Sequence, residues 1–124
     1  MNQDLYKQHI LDHYNAPRNK EVMENPTVEL PTKNPSCGDS YILYIDVKDG
    51  CIQKATFTGV GCAISQAAAS LLTDKVQGMT VEHAQKLTKE DVYDLLKVEI
   101  SVGREKCALL LYRGLQEALK SLES

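Results

Sequence analysis

The chain has 124 residues, of which 43% are hydrophobic, enough for one hydrophobic core but short for two. Its formal net charge is −3, and Lys and Arg are scattered along it rather than clustered. This charge pattern argues against binding to nucleic acid or to an anionic membrane surface, so we expect partners that are proteins or small species. We expect one domain over residues 1–124.

From the composition of its first residues, we expect no export signal at the start of the chain. Residues 1–14 mix charged and polar residues with apolar ones, and no uninterrupted apolar run in the chain approaches membrane-spanning length. We therefore expect a cytoplasmic protein, whose four cysteines are reduced thiols rather than two disulfides. Reduced thiols in such a domain are either buried core residues or parts of metal or catalytic sites, and their surroundings must distinguish these.

The first half of the chain predicts a helix and then a hairpin. Residues 4–14 carry apolar side chains at roughly helical spacing, and Pro17 ends this helix, so that an extended arm follows. Residues 40–47 and 52–58 are rich in Ile, Tyr, Val, Thr and Phe, and Asp49-Gly50 lies between them. Two such runs around an Asp-Gly pair predict a β-hairpin.

The second half is predicted to be helical. Residues 63–72 form a small-residue helix that Gly78 ends, and Thr80 and Thr88 are suitable N-caps for two short helices. Residues 104–122 carry a continuous apolar stripe and should form the longest helix. The predicted fold is α+β, with a small antiparallel sheet, a hairpin plus a third strand, covered on one face by helices.

The hairpin register predicts which cysteines meet. A two-residue turn at Asp49-Gly50 pairs Lys48 with Cys51, and all facing residue numbers then sum to 99, which places Cys37 opposite Cys62. Cys51 lies at the other end of the strands, about 26 Å away at roughly 3.3 Å per residue. Since a zinc-bound sulfur lies about 2.3 Å from its metal, Cys51 cannot join a site with the other two.

The same register pairs Ser40 with Gly59 and sorts the strand residues onto two faces. One face would carry Ile42, Tyr44, Ala55 and Phe57, and the other Leu43, Ile45, Val47 and Ile52. Both faces are partly apolar, so the sequence does not decide which of them the helices cover.

Cys37 is followed by a glycine and then by Asp39, which puts a thiol and a carboxylate within reach of one ion. This combination suits zinc or iron. The alternative is a polar turn with an incidental cysteine, and for Asp39 taken alone a solvated turn aspartate is the favoured interpretation.

Cys62 and Cys107 each lie at the start of a predicted helix, where backbone amides and the helix dipole favour a thiolate. Cys107 also follows Arg104 and Lys106, which could offset the charge of a thiolate-rich site or hold an anionic persulfide. The alternatives are a buried helix-start cysteine at 62 and a core thiol at 107, since no local rule brings the last helix to the hairpin. The three histidines have no ligand-like spacing to a cysteine, which predicts structural or solvent-facing roles for His9, His13 and His83.

Four sequence boxes together resemble the NifU N-terminal family, which contains the IscU and SufU proteins of iron–sulfur cluster assembly. The boxes are Asp12-His13-Tyr14 with Pro17-Arg18-Asn19, Asn34-Pro35-Ser36-Cys37-Gly38-Asp39, Gly59-Val60-Gly61-Cys62-Ala63-Ile64-Ser65 and Arg104-Glu105-Lys106-Cys107-Ala108. The resemblance implies a helix-covered antiparallel sheet and an acceptor of persulfide sulfur from a cysteine desulfurase of the SufS or IscS type.

By matching position, the resemblance also implies a set of functional residues. The metal ligands would be Cys37, Asp39, Cys62 and Cys107, and Cys37 and Cys107 are the candidate sulfur acceptors. The site would hold Zn²⁺, or iron as a [2Fe-2S] cluster bound by the three cysteines with Arg104 and Lys106 as charge support. Apo iron–sulfur proteins or other assembly factors would be the further partners.

The subfamily features point in two directions. IscU-type members carry a histidine before the last cysteine and a Leu-Pro-Pro-Val-Lys motif upstream of it, whereas this chain has Lys106 and, at residues 97–101, Lys-Val-Glu-Ile-Ser. The pattern of Arg104, Lys106 and Cys107 resembles SufU, but SufU-type members have an extra segment between the second and third cysteine boxes that this chain lacks. A cluster scaffold, a zinc-dependent sulfurtransferase and a purely structural zinc domain therefore all remain as hypotheses.

Overall fold

The computed structural model describes the backbone of residues 3–34 and 38–122, and the side chains from Lys7 onward within these ranges. Its elements in chain order are α1 (Gln3–Asn15), β1 (Val28–Asn34), β2 (Asp39–Lys48), β3 (Cys51–Val60), α2 (Ala63–Val76), α3 (Val81–Gln85), α4 (Lys89–Leu96) and α5 (Glu105–Ser121), with a 3-10 turn at Val102–Arg104. No helix among these residues has the length and apolar character needed to cross a membrane.

The three strands form one antiparallel sheet in the order β1-β2-β3. Helices α2 and α5 pack against it, α2 on β3 and α5 on β1 and β2. Apolar side chains from both layers fill the space between them, with Ile45, Phe57 and Leu119 fully buried. The predicted α+β fold, with helices gathered on one face of a small sheet, is confirmed.

The helix boundaries follow the predicted capping residues. The Thr80 side chain caps α3 by accepting from the His83 backbone N–H, and Thr88 and Asp91 form a reciprocal capping box at the start of α4. Helix α2 ends at Val76, and Gly78 follows with a φ of +90°, which glycine adopts without strain. Local sequence therefore fixes where these helices begin and end.

The predicted turn is present, but the predicted register holds only beside it. Lys48 pairs with Cys51 and Val47 with Ile52, after which Asp46 pairs with Lys54. One extra residue in β3 makes a β-bulge, and beyond it the facing residue numbers sum to 100 rather than 99. The pairing of Ser40 with Gly59 was wrong, since Ser40 faces Val60.

The bulge also corrects the predicted faces of the hairpin. Leu43 pairs with Phe57 and Ile45 with Ala55, and all four side chains are buried under the helices. The grouping of Ala55 and Phe57 with Ile42 and Tyr44 was therefore wrong. A one-residue slip moves every side chain beyond it to the opposite face, and the extra residue has this effect here.

Polar contacts anchor α1 and the arm after it to α2. The His13 ring Nδ1 lies 2.8 Å from the Ser70 hydroxyl, which also accepts from the Arg18 backbone N–H at 2.8 Å. His9 Nε2 lies 3.1 Å from the Leu95 carbonyl oxygen. Both histidines thus have structural roles, and the exposed His83 faces solvent, as the sequence predicts.

His13 should make stability depend on pH. Burial, with smaller contributions from His9 and Arg18, lowers the pKa of His13 below its ordinary value of 6.5, although Asp74 and Asp12 oppose this. As pH falls below about 6.5, the unfolded chain takes up a proton that the folded chain resists, so stability falls, by at most about 1.4 kcal/mol per pH unit for one group.

Urea unfolding of wild type and His13→Gln between pH 7.5 and 5.5 checks this expectation. The variant should lose less stability over this range, because it lacks the group that titrates. Equal losses in the two proteins would contradict the assignment.

Candidate metal site

Three potential ligand side chains converge at the end of the hairpin opposite the turn. Asp39 begins β2, Cys62 lies between β3 and α2, and Cys107 is in the first turn of α5. One carboxylate oxygen and the two Sγ atoms all lie within 4.8 Å of one another. Residues far apart in sequence therefore form a compact group able to hold a metal ion.

The strand pairing positions Asp39, and only one of its two carboxylate oxygens has a hydrogen-bond partner among the described residues. It pairs with Asn34 where β1 and β2 meet, and its side chain is 3% exposed. Its Oδ1 accepts from the Cys62 backbone N–H at 3.1 Å, whereas its buried Oδ2 has no hydrogen-bond partner among the described residues. A buried carboxylate oxygen without a partner is costly, and a bound cation would remove that cost.

Cys62 is both a candidate ligand and a helix cap. It is the N-cap of α2, where its Sγ accepts from the Ser65 backbone N–H at 3.5 Å. Its backbone N–H is the donor to Asp39, so the two candidate ligands hold each other in place. The helix start thus fixes the sulfur at the edge of the site.

Cys107 reaches the site through tertiary packing. It is the third residue of α5 and its side chain is 7% exposed. Because α5 packs along α2, β1 and β2, its N-terminal turn lies at the open end of the hairpin. The sequence offered both this position and an ordinary core position for Cys107, and the structure places its sulfur beside Asp39 and Cys62.

Tyr41 and Ser65 lie beneath the site and were not among the sequence-predicted residues. The Tyr41 hydroxyl lies 2.8 Å from the Ser65 Oγ, and both side chains are buried. Burial raises the pKa of the Tyr41 phenol well above its ordinary value, and the charges of Asp39, Cys62 and Cys107 add to this rise, so the phenol keeps its proton at neutral pH. The only sequence signal was a tyrosine at an inward position two residues after Asp39.

The other predicted site residues occupy different places. Cys51 lies beside the turn, where its backbone bridges to Thr80, and it does not belong to the group. Arg104 and Lys106 flank the start of α5 with exposed side chains. Cys37 lies outside the described residues.

The donor set limits the metals that the group suits. Two thiols and one carboxylate match the ligands of zinc and of iron, whereas Mg²⁺ and Ca²⁺ prefer sites made only of oxygen. The residues present thus fit a thiophilic transition metal, and Asp39 carries a buried oxygen, Oδ2, that no hydrogen bond from the described residues occupies.

A family model described as the NifU-like N terminal domain matches residues 5–124. The chain belongs to this family. The resemblance predicted from the cysteine boxes is therefore confirmed, over nearly the whole sequence.

Two curated relatives of this NifU-like chain cover almost its full length. The iron-sulfur cluster assembly scaffold protein IscU of Thermotoga maritima is 34% identical, with 95% of this chain and 94% of the relative aligned. The zinc-dependent sulfurtransferase SufU of Bacillus subtilis is also 34% identical, with 96% of this chain and 92% of the relative aligned. The chain is thus equally similar to a protein of each name.

A solved structure supports the same assignment. The putative iron-sulfur cluster assembly scaffold protein for the SUF system of Fervidobacterium islandicum aligns with a TM-score of 0.77 at 26% identity, over 96% of this chain and 99% of that one. The NifU-like fold of the present chain therefore agrees with that of a relative along almost its whole length.

Proposed function

We propose that this protein serves iron–sulfur cluster assembly, accepting sulfur from a cysteine desulfurase and assembling, or supporting the assembly of, a [2Fe-2S] cluster. The ligands are Cys37, Asp39, Cys62 and Cys107. The observation that carries the proposal is the convergence of Asp39, Cys62 and Cys107 within 4.8 Å, with one carboxylate oxygen buried and unpaired among the described residues. The family and the two relatives named for this process support it.

Cys37 enters the proposal through chain connectivity and family resemblance. It precedes Asp39 by two residues, and two peptide units span at most about 7 Å. Its sulfur is therefore the fourth donor in the proposal, giving three sulfurs and one oxygen. A bound metal would act as a Lewis acid that coordinates the thiolates until docking of a partner protein causes one of them to dissociate.

The sulfur-transfer step is a thiol exchange. The acceptor thiolate attacks the outer sulfur of the desulfurase persulfide, the persulfide S–S bond breaks, and the desulfurase cysteine leaves as a thiolate. The step needs no outside oxidant or reductant. Cys37 and Cys107 are the candidate acceptors, and Cys107, at 7% exposure, requires local opening before a partner's persulfide can reach it.

Exposed apolar side chains beside the site support docking of a protein partner. Val60, two residues before Cys62, is 67% exposed, and Val102, in the 3-10 turn before α5, is 88% exposed. Arg104 and Lys106 add exposed positive charge nearby, either to offset the thiolates or to hold a persulfide. We propose a SufS- or IscS-like desulfurase as this partner, apo iron–sulfur proteins or other assembly factors as recipients, and the cytoplasm as the location.

The second candidate function is that of a zinc-dependent sulfurtransferase that passes persulfide sulfur onward without holding a cluster. Lys106 directly before Cys107 favours it, since IscU-type members carry a histidine there. The equal identity to relatives of both names supports each function to the same degree.

Anaerobic purification, followed by metal analysis and visible absorption, separates the two candidates. A scaffold should yield a coloured protein with iron and sulfide after incubation with desulfurase, cysteine and Fe²⁺. A sulfurtransferase should yield stoichiometric zinc and no recoverable cluster. Failure of the wild-type protein to accept ³⁵S from a desulfurase in either metal state would overturn both.

The same assay tests the hypothesis that this is a purely structural zinc domain. The variants compared are Cys37→Ser and, as its control, the remote Cys51→Ser. We expect both variants to stay folded, and only Cys37→Ser to lose sulfur acceptance or metal. An unfolded Cys37→Ser protein beside a folded Cys51→Ser protein would favour the structural role.

A further inference from the structure

Three polar atoms of Cys62 make hydrogen bonds that fix its position. Its backbone N–H donates to Asp39 Oδ1 at 3.1 Å, and its Sγ accepts from the Ser65 backbone N–H at 3.5 Å. Its carbonyl oxygen accepts from the Ser65 hydroxyl at 3.2 Å. Ser65 thus contacts Cys62 twice, and its hydroxyl orients the peptide unit that follows the candidate ligand.

The Ser65 hydroxyl also contacts the Tyr41 hydroxyl, which links Tyr41 to Cys62. A serine hydroxyl has one hydrogen, and that of Ser65 is used on the Cys62 carbonyl. When Ser65 donates to this carbonyl, the Tyr41 hydroxyl is the donor of the 2.8 Å bond between the two hydroxyls. A chain of hydrogen bonds runs from Tyr41 through Ser65 to the backbone of Cys62.

No room is left for a side chain at residue 61, next to the hydrogen bonds that join Tyr41, Ser65 and Cys62. A Cβ atom on Gly61 would overlap the Tyr41 hydroxyl and the Ser65 Oγ, and would lie 2.9 Å from the Tyr41 Cζ. The backbone entering Cys62 therefore lies directly against the Tyr41–Ser65 pair. Loss of either hydroxyl would leave open space against the backbone that leads to Cys62.

We propose that the Tyr41 hydroxyl is a positioning group of the metal site, which acts through Ser65 to hold Cys62 in the orientation that ligation requires. This inference rests on the proposed function for the ligand role of Cys62. Residues that orient metal ligands commonly change metal affinity by about 10- to 100-fold when they are replaced. Tyr41 would act on the ligand without touching the metal.

Tyr41→Phe removes only the hydroxyl, and Tyr44→Phe is its matched control. Tyr44 is a buried tyrosine of the same strand whose hydroxyl bonds Thr58 at 3.4 Å, on the face away from the helices and from Cys62. Zn²⁺ affinity, measured by chelator competition, should fall about 10-fold in Tyr41→Phe and stay within about twofold of wild type in Tyr44→Phe. An unchanged affinity in Tyr41→Phe, or equal losses in both variants, would overturn the proposal.

A second measurement uses metal-free protein and does not depend on metal loading. The rate at which iodoacetamide modifies Cys62, read by peptide mass spectrometry with the remote Cys51 as internal reference, should rise about fivefold in Tyr41→Phe, as loss of one hydrogen bond would give. Ser65→Ala should raise it at least as much, and Tyr41→Phe should add nothing in the Ser65→Ala background. Additive effects would show that Tyr41 does not act through Ser65, and an unchanged Cys62 rate would show that it does not hold Cys62. If the wild-type protein binds no metal, the proposed function is wrong. The rate of Cys62 modification still tests whether Tyr41 positions Cys62.

Discussion

Cys62→Ser is expected to weaken metal binding by more than about 100-fold while the protein stays folded. Residues that only orient ligands cost about 10- to 100-fold when they are replaced, so loss of a ligand should exceed the upper end of that range. The change removes one of the two described sulfurs from a group that offers one oxygen besides them. Zn²⁺ competition with a chelator measures the loss.

The fold should tolerate this change because serine suits the structural role of Cys62. The Cys62 side chain caps α2 by accepting from the Ser65 N–H, and serine is among the preferred N-cap residues. Thermal unfolding of metal-free Cys62→Ser should therefore match that of metal-free wild type. This separates loss of a ligand from loss of structure, which substitutions at metal sites often confuse.

Cys51→Ser is the control for this experiment. Cys51 is partly exposed, lies beside the turn and does not belong to the ligand group, so its replacement should leave metal affinity unchanged. If Cys62→Ser retains wild-type affinity, or if Cys51→Ser loses as much, the ligand assignment is wrong.

Gly59→Ala is expected to destabilise the fold by about 3 to 5 kcal/mol, a large share of the roughly 5–15 kcal/mol that stabilises a typical domain. Gly59 has a φ of +132°, which side-chain-bearing residues rarely adopt. A Cβ there would also overlap the Ser40 carbonyl oxygen and lie 2.7 Å from the Tyr41 Cα. These are backbone atoms of the paired strand, so relief requires the two strands to separate.

Thermal unfolding should show a fall in Tm on the order of 10–20 °C for Gly59→Ala. Gly103→Ala is the matched control, because a Cβ at Gly103 meets nothing within 4 Å and its φ is not in the positive range. The control should lie within about 0.5 kcal/mol of wild type. A wild-type Tm for Gly59→Ala would contradict the strand geometry at this point.

Local signals predicted the turn and the helix ends well. Asp49 and Gly50 have φ values of +53° and +77°, as a two-residue hairpin turn requires, and Thr80 and Thr88 cap the helices they were expected to cap. These features depend on a few consecutive residues. Short-range chemistry is therefore enough to predict them.

The bulge was missed although the sequence carries a sign of it. In β2 the core residues Tyr41, Leu43 and Ile45 are two positions apart, whereas in β3 the fully buried Ile52 and Ala55 are three positions apart, with the exposed Gln53 and Lys54 between them. Two residues separated by three positions share a face of a strand only if one extra residue lies between them. A test of the alternation in each strand separately would have corrected the register.

The place of Cys107 could not be derived from its neighbours in the sequence. Its position in the first turn of a helix was predicted, but its approach to Asp39 and Cys62 depends on how α5 packs against α2 and the sheet. Such packing is set by side chains along the whole length of α5. Only the family resemblance anticipated the meeting.

This dependence on α5 links metal capture to completion of the fold. Asp39 and Cys62 come from the hairpin and its exit, so contacts within one short stretch bring them together. A nascent chain that has formed the hairpin before α5 docks therefore offers an ion two of the three described donors. An ion that binds only when all three donors are present stabilises the state in which α5 is docked. By thermodynamic linkage the stabilisation is about 2.7 kcal/mol at a free ion concentration 100 times its Kd. Occupancy of the site would thus mark molecules in which α5 has docked onto the hairpin.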